Sequence, residues 1–204
     1  RQFFDHPKFV AEMAAAVTEV WGQVPEEKKE STRLLFTAHS VPVAHDNVGG
    51  VEGDKNLYSR QVAEASRLVA AQAGISDYDL VWQSRSGNPR TPWLEPDIID
   101  HTTDIHHNEG IDTVVVCPIG FISDHMEVIW DLDSELQKAA DEMGVKVLRT
   151  RTAGPTPRFA EMVVDLIDEL EQGREWENSG SVTVQGCTVN GAPCAAGCCD
   201  IWSR

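Results

Sequence analysis

The stretch DTVVVCPIGFISDHMEVIWDLDSELQKAADEM, residues 112–143, decides the fold. Its first part, 112–118, is nearly continuous in β-branched residues, which predicts a strand buried on both faces. After Gly120 the apolar residues change to helical spacing, with one face formed by Met126, Ile129, Leu132 and Leu136. Ser123 or Asp124 is expected to cap this helix, which ends at Gly144. A buried strand followed by an amphipathic helix is the repeating unit of a parallel α/β sheet.

The same unit recurs along the chain. Further strands are predicted at 33–38, 78–83 and 145–149, and further helices at 7–21, 58–73 and 96–107. A last helix is predicted from an apolar stripe at Phe159, Val163, Leu166, Ile167 and Leu170. This alternation predicts an α/β fold, doubly wound around a parallel four-stranded sheet, over about residues 30–172. Ligands of such sheets bind at the carboxyl ends of strands, which places candidate sites after Ala38, Gln83 and Pro118.

Composition excludes some classes of function. The 17 Lys and Arg face 33 Asp and Glu, for a formal net charge of -16. Nucleic-acid binding is excluded because affinity for phosphate depends on clustered Lys and Arg. No apolar run reaches the roughly 20 residues of a spanning helix, so we predict no transmembrane segment and expect a cytoplasmic location. The opening RQFFDHPKF has no initiator Met, which favours the interpretation that the chain is a fragment.

His39 is the first candidate for chemistry. It follows the predicted strand 33–38 directly, at the edge where α/β enzymes expose functional groups. Imidazole is the side chain best suited to moving protons near neutral pH. The alternative is a structural histidine that only satisfies hydrogen bonds.

A row of carboxylates is the second candidate. Glu127, Asp131 and Glu135 are spaced four residues apart, which stacks them along one side of the predicted helix. Oxygen ligands in a row suit the passage of a hydrated divalent metal ion, whereas the alternative is a solvated acidic face. An α-helix drifts by about 40° over four residues, so a local π-helical turn would align the row better.

The C-terminal residues 173–204 contain no Leu and no helical stripe, so they are expected to form an irregular tail. Four of the five cysteines of the chain are there: Cys187, Cys194, Cys198 and Cys199. Their spacing alone leaves three interpretations open, namely an iron–sulfur cluster, a zinc site, and incidental or disulfide-bonded cysteines. Cys117 lies in a predicted central strand and is expected to be a small buried side chain.

Three blocks resemble the ferrochelatase family. They are FTAHSVP at 36–42, YDLVWQSRSGNPRTPWLEPDI at 78–98 and VVVCPIGFISDHMEVIWDLD at 114–133. The resemblance implies two Rossmann-like halves with a porphyrin cleft between them, of which this chain is the second. Residues 1–30 would be the helical connection from the missing N-terminal half, 31–172 the C-terminal chelatase domain, and 173–204 a cluster-binding tail.

The resemblance also implies an activity, the insertion of Fe²⁺ into a porphyrin during haem biosynthesis. PWLEPDI and the cysteine tail are most similar to the actinobacterial branch, which implies coproporphyrin III rather than protoporphyrin IX. The tail would hold a [2Fe–2S] cluster through Cys187, Cys194, Cys198 and Cys199, with one of the adjacent pair spare. Two alternative functions remain open, an iron–sulfur redox or sensor module and a metal-delivery domain without catalysis.

The resemblance assigns roles to individual residues. His39 and Glu127 would be the catalytic pair and the inner metal ligands, and Asp131 and Glu135 the outer positions on the iron path. The residues expected to line the porphyrin cleft are Ser40, Trp93, Phe121, Asp124 and His125. Trp93 stands between prolines in a Gly- and Pro-rich loop, which also predicts a rigid apolar lip.

Overall fold

The computed structural model describes residues 2–50, 55–175 and 177–180. Its sheet has four strands, β1 (Thr32–His39), β2 (Tyr78–Gln83), β3 (Thr113–Cys117) and β4 (Lys146–Arg149). All pairings are parallel, and the order is β2-β1-β3-β4. The predicted α/β class with a parallel four-stranded sheet is therefore confirmed. The cysteines predicted to bind a cluster, Cys187, Cys194, Cys198 and Cys199, lie outside the described residues.

The helices lie between the strands in the chain, as parallel pairing requires. In chain order they are α1 (Pro7–Trp21), α2 (Val43–Val48), α3 (Leu57–Ala73), α4 (Ile98–Glu109), α5 (Met126–Val128), α6 (Gln137–Met143) and α7 (Pro157–Gln172). A π-helical segment, Ile129–Leu136, joins α5 to α6, and a 3-10 turn, Glu26–Ser31, precedes β1. Gly144 ends α6 in the left-handed conformation, as predicted, because glycine adopts a positive φ without steric cost.

The two faces of the sheet carry separate apolar cores. On one face Leu34, Phe36 and Cys117 pack with α1, α3 and α7. On the other, Leu35, Val114 and Val116 pack with α4, the π-helical segment and α6. Successive strand residues point to opposite faces, so strands covered on both sides must be apolar without alternation. This double burial is the physical reason for the continuous apolar runs in the sequence.

Two local predictions are wrong. The helix after β3 begins at Met126, and its N-cap is His125 rather than Ser123 or Asp124, without a capping side-chain hydrogen bond. In α7 the buried side chains are Met162 and Glu169, while the expected core positions Val163, Ile167 and Leu170 are exposed. Helix α7 therefore packs through an adjacent stripe, with Phe159 and Leu166 partly buried against the core.

No helix among residues 2–50, 55–175 and 177–180 combines the length and the apolar character that crossing a membrane requires.

Candidate functional site

His39 and Glu127 meet at the carboxyl edge of the sheet. His39 is the last residue of β1, and Glu127 lies in the first turn of the helix that follows β3. Because β1 and β3 are parallel neighbours, the end of one strand and the loop after the other arrive at the same edge. The His39 Nε2 atom is 3.4 Å from Glu127 Oε1, and the side chains are 37% and 48% exposed.

A hydrogen bond sets the state of the His39 ring. Its Nδ1 atom is 2.5 Å from the Ser40 carbonyl oxygen, which can only accept, so Nδ1 carries the proton. In the form of the ring that lacks a proton on Nε2, the lone pair of that atom faces the Glu127 carboxylate. Two electron-pair donors that face each other in this way are suited to hold a proton or a metal ion between them.

The backbone beneath His39 is held by Tyr58. The Tyr58 hydroxyl donates to the His39 carbonyl oxygen at 2.8 Å. Burial, with a smaller contribution from Asp46, raises the pKa of Tyr58 to about 12, so the phenol keeps its proton and remains a donor near neutral pH. On the other side Gly120 donates to the Thr37 carbonyl at 3.2 Å. A Cβ atom at Gly120 would come within 2.5 Å of the Ala38 Cβ, so this close approach requires glycine.

Asp131 is anchored at the end of β2. It accepts hydrogen bonds from Gln83 Nε2 at 3.1 Å and from the Ser84 hydroxyl. Gln83 is itself buried and accepts from the Thr37 hydroxyl at 3.1 Å, which fixes its amide orientation. Sequence analysis missed Gln83 and Ser84 as site residues, although the rule that found His39, position at a strand end, applies to both.

Part of the carboxylate row lies in a π-helical segment, the geometry expected to align residues spaced four apart. Asp131 and Glu135 lie within Ile129–Leu136, and Glu135 is exposed. The row does not converge on one ion, because no three His, Cys, Asp or Glu side chains among the described residues form a group that could hold a metal. The structure thus brings His39 and Glu127 together and leaves Asp131 and Glu135 as separate positions along the helix.

Two residues expected in the cleft lining are bonded to other parts of the protein. Ser40 is 1% exposed and its hydroxyl donates to the Leu94 carbonyl at 2.9 Å, so it fixes the loop after β2. Asp124 is paired with Arg149. Both side chains have protein partners in this structure, and their contact with a ligand stays a prediction.

The other expected cleft residues lie around the same edge. Phe121 is buried, and its ring packs against that of the exposed His125 at 5.4 Å between centroids. Trp93 is partly buried in a strand-like contact with Pro42. The Trp93 indole nitrogen is buried and has no hydrogen-bond partner among the described residues.

Arg149, the last residue of β4, was also missed by sequence analysis. Its Nε and Nη2 atoms donate to the Asp133 carboxylate at 2.6 and 2.9 Å, and Nη1 and Nη2 donate to Asp124 at 3.0 and 3.3 Å. Burial lowers the pKa of Arg149, but the hydrogen bonds to Asp133 and Asp124 outweigh it and hold the pKa above its ordinary value. Arg149 is therefore a permanent cation that joins Asp124, in the loop before the helix, to Asp133 in the π-helical segment.

Apolar side chains are exposed on the segment that carries Glu127. Four large ones lie in its loop and helix: Ile122, Met126, Ile129 and Trp130. Of these, Ile122 also lines an apolar cavity of about 570 Å³, together with Phe3, Phe4, Tyr58 and Ile119. Cys117 lies beneath the site in β3, where burial raises its thiol pKa to about 12, as expected for a small core side chain.

Comparisons with known proteins point to one family. The family model described as ferrochelatase matches residues 1–171. Similar curated proteins include the coproporphyrin III ferrochelatases of Corynebacterium glutamicum (strain R), 54% identical over 199 residues, and Nocardia farcinica, 51% identical over 200 residues. These alignments cover 98% of this chain but 54% and 56% of the two relatives. The chain thus spans little more than half the length of the curated relatives it matches.

Proposed function

The chain belongs to the ferrochelatase family, and from that premise we propose that it carries the metal-side groups of an enzyme that inserts Fe²⁺ into a porphyrin. The observation that carries the proposal is the His39–Glu127 pair, with its 3.4 Å separation at the carboxyl edge of a parallel sheet. Residues 31–172 are proposed as the chelatase domain and 173–204 as a tail. The other wall of the porphyrin cleft is assigned to the part of the relatives that this chain does not match.

The reaction needs bases that can also meet a cation. Insertion of Fe²⁺ releases two protons from the pyrrole nitrogens while the metal ion exchanges water for nitrogen ligands. The Nε2 lone pair of His39 and the carboxylate of Glu127 can each take one proton, which balances the charge of the entering ion. When His39 is protonated, the adjacent carboxylate stabilises the imidazolium through an opposite charge at short distance.

The residues near the His39–Glu127 pair suit both substrates, the porphyrin and Fe²⁺. The exposed Met126, Ile129 and Trp130 offer apolar surface beside the polar pair, as a flat aromatic macrocycle requires. Asp131 and Glu135 continue along the same helix and are proposed to pass hydrated Fe²⁺ toward Glu127, because carboxylate oxygens suit a hydrated divalent ion. The alternative, a non-catalytic metal-delivery domain, would need only the carboxylates and would not explain the position of His39.

We propose coproporphyrin III as the porphyrin, since the similar proteins from Corynebacterium and Nocardia are named for it. The test is iron insertion by the protein in its full natural length, measured with coproporphyrin III and with protoporphyrin IX under anaerobic conditions. We expect a higher kcat/KM with coproporphyrin III. A preference for protoporphyrin IX would refute the assignment of the porphyrin, and no insertion into either would refute the chelatase function.

The cysteine tail is proposed to bind a [2Fe–2S] cluster through three or four of Cys187, Cys194, Cys198 and Cys199. Support comes from their number, their spacing and the small residues between them, because cluster ligation needs thiolates that can converge. Replacing Cys187 and Cys194 with Ser should abolish the visible absorption of the purified protein. Replacing Cys117, which is buried in β3, with Ala is the control that should keep it. Absorption that survives in the tail variant would refute the cluster.

A further inference from the structure

Arg149 joins two separated segments of the acidic helix region. Asp124 lies in the loop three positions before Glu127, and Asp133 lies two positions beyond Asp131 in the π-helical segment. Both carboxylates meet the same guanidinium, with four donor–acceptor distances between 2.6 and 3.3 Å. The planar fork of arginine fixes the relative orientation of the carboxylates it binds, which a point charge such as lysine does not.

The segment between these anchors needs external support. The continuous helical run 126–143 begins here, and its N-cap His125 provides no side-chain hydrogen bond, so the first turn has no side-chain cap. Glu127 itself is 48% exposed, so no burial fixes its side chain. Backbone support before this turn comes from Gly154, whose N–H donates to the Ile122 carbonyl at 2.8 Å, five residues before Glu127.

The negative charge of this segment is a second reason why it needs support. Between residues 124 and 135 the chain carries five carboxylates, Asp124, Glu127, Asp131, Asp133 and Glu135, and no Lys or Arg. Like charges one helical turn apart repel each other. The guanidinium of Arg149, which is 19% exposed, offsets this repulsion at two of the five positions.

We propose that Arg149 is a positioning residue that holds the turn carrying Glu127 opposite His39. This inference rests on the proposed function, because it assigns Arg149 a role in the reaction of that pair. Asp124 contributes to this positioning as the ion-pair partner of Arg149, and it makes no contact with substrate. Loss of the guanidinium lets the turn move, and a displacement of the reacting group by about 1 Å can cost about 100-fold in rate.

The first test compares matched arginine variants of the full-length protein. Arg149→Met should lower kcat for iron insertion about 10- to 100-fold with little change in the KM for porphyrin, and Arg149→Lys should recover part of the loss. Arg33→Met is the control. Arg33 also binds carboxylates, Asp79 at 2.8 Å and Glu109 at 2.6 Å, but it lies at the opposite edge of the sheet. Its replacement should lower the melting temperature and leave kcat unchanged.

The second test is a double-mutant cycle. Asp124→Asn alone should lower kcat. In the Arg149→Met background it should cause no further loss, because both changes remove the same Arg149–Asp124 interaction. An equal effect of Asp124→Asn in both backgrounds would mean that Asp124 acts on substrate directly, and would overturn the proposal. A normal kcat for Arg149→Met would also overturn it. Both results require an active unmodified protein, so they differ from a failure of the chelatase function.

Discussion

Replacing His39 with Ala should lower kcat for iron insertion by the full-length protein about 10²- to 10⁴-fold, the usual contribution of a positioned proton-transfer group. The Nε2 lone pair would be lost, and Glu127 would be left without the group that faces it at 3.4 Å. The fold should persist, since the His39 side chain is 37% exposed and Tyr58 binds the backbone carbonyl rather than the ring. Turnover and the melting temperature, measured on the same preparation, separate the two effects.

A second variant and a control sharpen this expectation. Glu127→Gln keeps the size of the side chain but removes its charge and most of its basicity, so it should also reduce kcat strongly. His107→Ala removes an exposed histidine at the far end of α4 and should leave kcat unchanged. If His39→Ala inserts iron at the normal rate, His39 has no part in the reaction, and another base must take the pyrrole protons.

Replacing Phe36 with Ala should lower the free energy of unfolding by about 3–5 kcal/mol, because it leaves a cavity in the core. Phe36 is fully buried in the central strand β1, and its ring meets that of Tyr78 edge to face at 5.5 Å. For a chain of this size each kcal/mol corresponds to about 2–4 °C, so the melting temperature should fall on the order of 6–20 °C. Thermal denaturation followed by circular dichroism measures the change.

The matched control for Phe36 is Leu170 in α7. Its side chain is 86% exposed although its hydropathy resembles that of a core residue. Leu170→Ala should therefore change the melting temperature by no more than a degree or so, in keeping with surface substitutions of about ±0.5 kcal/mol. A large loss for Leu170→Ala would mean that another surface covers this part of α7.

The sheet could be predicted from sequence because its residues obey one simple constraint. Strands buried on both faces must be apolar in their centres, and 34–36 and 114–117 satisfy that requirement without help from other segments. Helix α7 was harder, because Phe159, Met162 and Leu166 form one apolar stripe and Val163, Ile167 and Leu170 form another. Local hydropathy does not show which of two adjacent stripes is buried. That depends on the packing partner, α1, which is distant in sequence.

Only part of the candidate site could be predicted from sequence, for a similar reason. His39 could be found because its position directly after a strand is a local feature. Gln83, Ser84 and Arg149 also stand at strand ends, but what they bind could not be predicted. Each contact joins residues far apart in the chain: Gln83 and Ser84 bind Asp131, and Arg149 binds Asp124. Such partners are set by how strands are ordered in the sheet. Spacing along the sequence does not contain that information.

The two members of the His39–Glu127 pair are kept in place by parts of the molecule with different local stability. His39 continues a strand in which Phe36, Thr37 and Ala38 are fully buried, so its position is lost only when the sheet itself opens. Glu127 stands in the uncapped first turn of its helix, where it and Met126 are exposed, and helix ends of this kind open at a lower free energy than the whole domain. We therefore expect warming to separate the pair before it melts the fold. Heat inactivation of this protein should then report on the start of one helix, while the sheet is still native.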